Sequence, residues 1–195
     1  YVLRREWPNR QVWLSLLWGV PLAIAVSAIW YGPVIARHGW TFIDEGSFDS
    51  ARETFEQAAV LFRQLGRRWE ATHAEIAIGY ALLAADRPAD ARPILQGALA
   101  TAVEIASPAL IMEALVHLAA GRMKVDVAAA TRLLAAVQTI ADETGRELDP
   151  RLVGRELEIN TRWARERLGQ RFEAVWEAGS GLRLEEAVAL ALDEE

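Results

Sequence analysis

The side chains able to do chemistry in this 195-residue chain are few, and their spacing argues against catalysis. Three histidines, His38, His73 and His117, stand too far apart to form a spaced metal-ligand pair. A His-Glu-x2-His helix, which would put two imidazoles and a general base on one face, is absent. Gly179-Ser180-Gly181 is no nucleophile elbow, because no strand pattern precedes it. Neighbouring acids occur at Asp44-Glu45, Asp142-Glu143 and Glu185-Glu186. On solvated helical faces or ends they serve solubility and helix N-terminal charge rather than acid–base work. The chain has no Cys, which excludes disulfide scaffolds, thiolate zinc sites and cysteine nucleophiles. Lys124 is the only lysine, and no phosphate-binding Gly-x4-Gly-Lys-Ser/Thr loop contains it. A net charge of −6 lacks the basic face that nucleic acid requires. Nothing here calls for a metal, a cofactor or an enzymatic role; binding is the better expectation.

The elements that position these residues read as helices in a repeat. Gly39, Phe42, Gly46, Phe48, Ala51, Phe55 and Ala58 recur 40 positions later as Gly79, Leu82, Asp86, Pro88, Ala91, Leu95 and Ala98. A looser third copy gives Ala130, Leu134 and Val137. A fixed period of this size means stacked helical units, none able to bury its apolar face alone. Within the first copy, Ala51, Phe55, Ala58, Phe62 and Leu65 form one stripe of an amphipathic helix. Gly66 supplies its C-cap. A second helix spans about Glu70 to Ala85 and stops at Asp86-Arg87-Pro88, and a third reaches about Ala106. Ser107-Pro108 then offers an N-cap residue followed by Pro at the first helical position. Gly39, Gly79, Ala51 and Ala91 are small enough to let paired helices approach closely.

The first 36 residues differ in kind. No charged side chain occurs from Gln11 to Ala36, and five of the eight Trp lie within the first 40 positions. The whole-chain averages of 52% apolar and 25% charged residues conceal this. A run of 26 uncharged residues exceeds the roughly 20 needed to cross a bilayer. Arg4, Arg5 and Arg10 flank it on one side and Arg37 on the other. Trp13, Trp18, Trp30 and Tyr31 are placed to anchor it at an interface, with Pro21 inside it. The competing reading is a buried helical hairpin, which Gly19, Pro21, Gly32 and Pro33 favour.

The helical units resemble the tetratricopeptide repeat. The small residue in the first helix, the aromatic three later and the Ala-x3-Phe-x2-Ala second helix (Ala51, Phe55, Ala58) match that motif. Gly46-Ser47-Phe48-Asp49-x-Ala51-Arg52 and the run Ala59 to Trp69 are similar to the sensor arrays of large bacterial ATP-dependent regulators of the maltose-activator type. The stretch Ala129 to Gly145 resembles the last repeat of that family. Asp149-Pro150, Leu168-Gly169, Phe172, Trp176, Gly179 and Leu184 to Leu192 resemble its closing helices. Arg183 departs from the Ser-type cap usual there, which implies a less sharply started last helix. The ATPase loop and the DNA-binding helix-turn-helix of those regulators are missing.

The resemblance implies an all-α, right-handed helical-hairpin solenoid, about three repeats plus C-terminal capping helices, behind an N-terminal hydrophobic helix. Its divisions fall at 1–36 for the anchor, 37–145 for the repeats and 146–195 for the cap. The first helices would line a concave groove, and the match points at Trp40, Asp44, His73, Tyr80, Glu113 and His117 as the residues facing a protein partner. The bland alternative is that Trp40 and Tyr80 seal packing between repeats while His73 and His117 are half-buried surface residues. The expected function is a non-enzymatic scaffold, tethered by residues 11–36 as a single membrane span. The alternative is a cytoplasmic, effector-sensing fragment of a transcriptional regulator.

Overall fold

The computed structural model describes residues 48–145 and 153–193. Within them the chain is all-α: α1 (Phe48–Gln64), α2 (Arg68–Ala84), α3 (Pro88–Glu104), α4 (Pro108–Arg122), α5 (Val127–Thr144), α6 (Val153–Leu168), a 3-10 turn (Gly169–Arg171), α7 (Phe172–Ser180) and α8 (Leu184–Leu192). Helices pack in sequence, α1 on α2, α2 on α3, α3 on α4 and α4 on α5. In addition α2 touches α4 and α4 touches α6, so alternate helices form one layer, as in an α-solenoid. No helix among the described residues is long and apolar enough to cross a membrane. The anchor residues Trp13, Trp18, Pro21, Trp30 and Tyr31, and the groove residues Trp40 and Asp44, lie outside the described residues.

The turns reveal a frame finer than the 40-residue period. Helices α1, α2 and α3 are each 17 residues long and start at Phe48, Arg68 and Pro88, with α4 following at Pro108. Each of the three ends in the same backbone device. Gly66, Asp86 and Ala106 adopt positive φ of 69°, 57° and 50°. The next N–H then reaches back five residues, Arg67 to Phe62 O at 2.9 Å, Arg87 to Leu82 O at 2.9 Å and Ser107 to Ala102 O at 3.0 Å. These are Schellman ends, which satisfy carbonyls that a helix terminus leaves open. Repeating one turn every 20 residues fixes the length and rotation of each helix relative to the next.

That frame ends at α4. Helix α4 is 15 residues long and ends without a left-handed residue; Asp126 instead caps α5, its carboxylate accepting from Ala129 N–H at 2.9 Å. The third copy therefore falls 39 positions on, yet Ala91, Leu95, Ala98 and Ala130, Leu134, Val137 are all buried as the periodicity requires. Those residues belong to one continuous core with Ile76, Leu99, Leu115, Leu133 and Phe172.

Three local expectations are corrected. Leu65, expected on the apolar stripe of α1, lies one residue past the end of that helix, in the turn, and is 63% exposed. Ser107 does not cap α4 with its side chain; its Oγ accepts from Trp69 Nε1 at 3.2 Å, tying α2 to the α3–α4 turn. Arg183 does not blunt α8, because Glu186 reaches back to accept from the Arg183 N–H at 2.8 Å. That bond holds the Glu186 carboxyl below its ordinary pKa.

The C-terminal helix closes the stack. It packs on α3, α4 and α5, and its last carbonyls are held by side chains distant in sequence. Arg122 donates to Leu190 O and Asp193 O at 2.6 Å each, Arg92 to Asp193 O at 2.7 Å, and Gln96 to Ala191 O at 3.3 Å. Cations at a helix C-terminus also complement its dipole.

Candidate functional site

The candidate site is the face shared by α2, α4 and α6. On α2, His73 and Tyr80 are seven residues apart, close to two full turns, so they share a face. On α4, Glu113 and His117 are four apart and share one too. Because α2 lies beside α4, the two faces meet as two pairs. His73 Nε2 lies 3.5 Å from Glu113 Oε1, and the Tyr80 and His117 rings lie 5.1 Å apart, tilted by 43°. Trp69, one turn before His73, stacks on its imidazole at 5.3 Å. The structure thus brings together four of the six groove residues proposed from sequence.

The two histidines live in opposite environments. His73 is half exposed, and its pairing with Glu113 raises its pKa against the lowering effect of burial. His117 is only 3% exposed, which corrects the half-buried alternative. Burial pushes its pKa down to about 4, with Glu113 opposing, so the imidazole is neutral at pH 7. Its Nδ1 is buried without a hydrogen-bond partner. Tyr80 is 38% exposed, and its phenol pKa is raised by burial and then by Glu156, with Arg155 opposing. The hydroxyl is therefore protonated and able to donate or accept.

Helix α6 completes the groove with residues that sequence reasoning missed. A cavity of about 340 Å³ runs between Tyr80 and His117 on one side and Glu156, Ile159, Asn160 and Trp163 on the other. Lys124 lies at one end. The signal was present: Glu156, Ile159, Asn160 and Trp163 follow the spacing of one helical face. Nothing before Val153, however, told which face of this helix would turn toward α4.

No protein-family model, curated protein or solved structure matches this chain. The site must be read from its own chemistry. It offers the aromatic rings of Tyr80 and Trp163, the carboxylate of Glu156, the amide of Asn160 and a Lys124–Asp86 ion pair at 2.6 Å around a groove. The described residues contain no group of three or more His, Asp or Glu side chains placed to hold a metal ion. What the arrangement can do is receive an extended or helical segment, with aromatic contacts for affinity and polar groups for register.

Proposed function

We propose that this chain is a non-enzymatic protein-interaction scaffold, a TPR-like right-handed solenoid that docks a protein partner in the α2–α4–α6 groove. One observation carries the reading: alternate helices present Tyr80, His117 and Trp163 around one cavity of about 340 Å³. Tyr and Trp in such positions are the residue types that dominate binding energy at protein interfaces. Membrane tethering through residues 11–36 belongs to the same proposal and rests on their uncharged, Trp-rich composition.

Two experiments test the parts separately. A photo-crosslinker replacing Trp163 identifies the protein seated in the groove of the full chain. The Tyr80→Ala, His73→Ala double variant should then bind that protein at least about thirtyfold more weakly, the loss of one hot spot of about 2 kcal/mol. Unchanged affinity removes the groove. For the tether, the full chain should need detergent while a chain lacking residues 1–36 stays monomeric without it. A full chain that is monodisperse in plain buffer removes the membrane span.

A further inference from the structure

A second cavity opens at the edge of the stack, beyond the groove, and its lining differs in character. It holds about 270 Å³ between the α2–α3 turn and the α4–α5 turn. Leu83, Leu95 and Leu118 give it an apolar wall, and His117, Arg92 and Arg122 are its cationic or hydrogen-bonding members. Asp126 also borders it, but that carboxylate is engaged in capping α5.

The polar members have capacity to spare. A guanidinium carries five N–H donors. Arg92 uses one of them, on the main-chain oxygen of Asp193. Arg122 uses two, on the oxygens of Leu190 and Asp193. Among the described residues neither guanidinium pairs with a side-chain carboxylate, although twelve ion pairs occur elsewhere on these helices. His117, on the wall between this cavity and the groove, keeps its Nδ1 buried and unpartnered. A buried polar atom without a partner costs stability unless something fills the role. Two half-buried cations beside an apolar wall are complementary to an anion with an apolar body.

We propose that this cavity binds a small carboxylic acid with an apolar body, its carboxylate on Arg92 and Arg122 and its chain against Leu83, Leu95 and Leu118. A carboxylate is matched to a guanidinium in both charge and shape, and accepts more strongly than the neutral carbonyls now bound there. The volume suits a body of about six carbons, near the lower end of ordinary ligand sites. The cavity shares the His117 wall with the protein-docking groove, but Arg92 and Arg122 line only the cavity and Tyr80 and Trp163 only the groove, so each is tested by its own residues.

The test titrates the full chain at pH 7 with hexanoate, hexan-1-ol and hexylamine, following heat and the imidazole ¹⁵N resonances of His117. Hexanoate should bind with a Kd on the order of 1 mM or tighter, shift the His117 signals, and exceed both analogues by about tenfold or more. Arg92→Gln should weaken hexanoate about tenfold and leave hexan-1-ol unchanged. Equal binding of the alcohol, no binding of the acid, or binding that leaves His117 unmoved overturns the proposal. So does an Arg92→Gln chain, folded by circular dichroism, that retains full affinity. Should that variant not fold, the comparison of the three probes on the unaltered chain still decides.

Discussion

Gly79 of α2 presses so closely on Leu95 of α3 that a methyl group added to it would lie 2.5 Å from Leu95 Cγ. Both residues are buried, so Leu95 can give way only toward the cavity that it lines. Replacing Gly by Ala inside a helix gains up to about 1 kcal/mol in propensity. Overpacking a full core contact costs about 1–3 kcal/mol. Gly79→Ala should therefore lower stability by about 1–2 kcal/mol, measured by the urea midpoint. Gly121→Ala is the control, because its methyl would meet only the far end of half-buried Leu83, at 3.2 Å. That variant should stay within about 0.5 kcal/mol of the parent.

The α3 terminus carries a residue poorly suited to its backbone. Ala106 holds φ +50°, where Gly66 and Asp86 stand at the equivalent turns. A left-handed L-residue costs about 1–2 kcal/mol, and glycine avoids that at some entropic expense. Ala106→Gly should stabilise by about 1 kcal/mol, raising Tm by about 2–4 °C. A lower Tm would mean that this turn does not hold its Schellman geometry.

Those turns also explain what could be read from sequence. Gly66, Asp86-Arg87-Pro88 and Ser107-Pro108 punctuate the chain with residues whose backbone preferences end helices, so the end of α1, both ends of α2, the end of α3 and the start of α4 were legible to within two residues. The left-handed Ala106 was not, because alanine carries no preference for that region. That His73, Tyr80, Glu113 and His117 share one face was legible from the repeat resemblance; which of them would meet as pairs was not. Burial of His117 was not, since it depends on α6 and on both cavity walls. Nor was the docking of α8, whose carbonyls find Arg92 and Arg122 from about 70 to 100 residues away.

That docking makes a local prediction. Arg122 alone bonds the Leu190 carbonyl and shares Asp193 with Arg92. Hydrogen bonds from charged donors contribute about 1.5–3 kcal/mol each when buried, and less at a half-exposed site. Arg122→Ala should accelerate amide exchange across Ala189–Leu192 about tenfold or more, while the α5 amides keep their protection. Equal loosening of α5 would show that α8 unfolds only with the whole stack.

Acid should act through His117. Its pKa is about 4 in the folded chain against an ordinary 6.5. Above pH 6.5 the imidazole is neutral in both states. Between 6.5 and 4 the unfolded chain takes up the proton and the folded chain does not, so stability falls as pH falls. The full difference is about 3 kcal/mol, reached near pH 4. Tyr80 faces this ring from α2, and Glu113, one turn away on α4, is the charge that opposes the shift. His73 has the opposite sign: its pKa is raised, so its contribution is whole below 6.5 and fades as pH rises through its folded value. Half exposed, it contributes the smaller effect. Denaturant titrations of the parent and of His117→Phe from pH 7 to 4 should therefore diverge, the parent losing about 3 kcal/mol more. Parallel profiles would mean that His117 is not held neutral in the core.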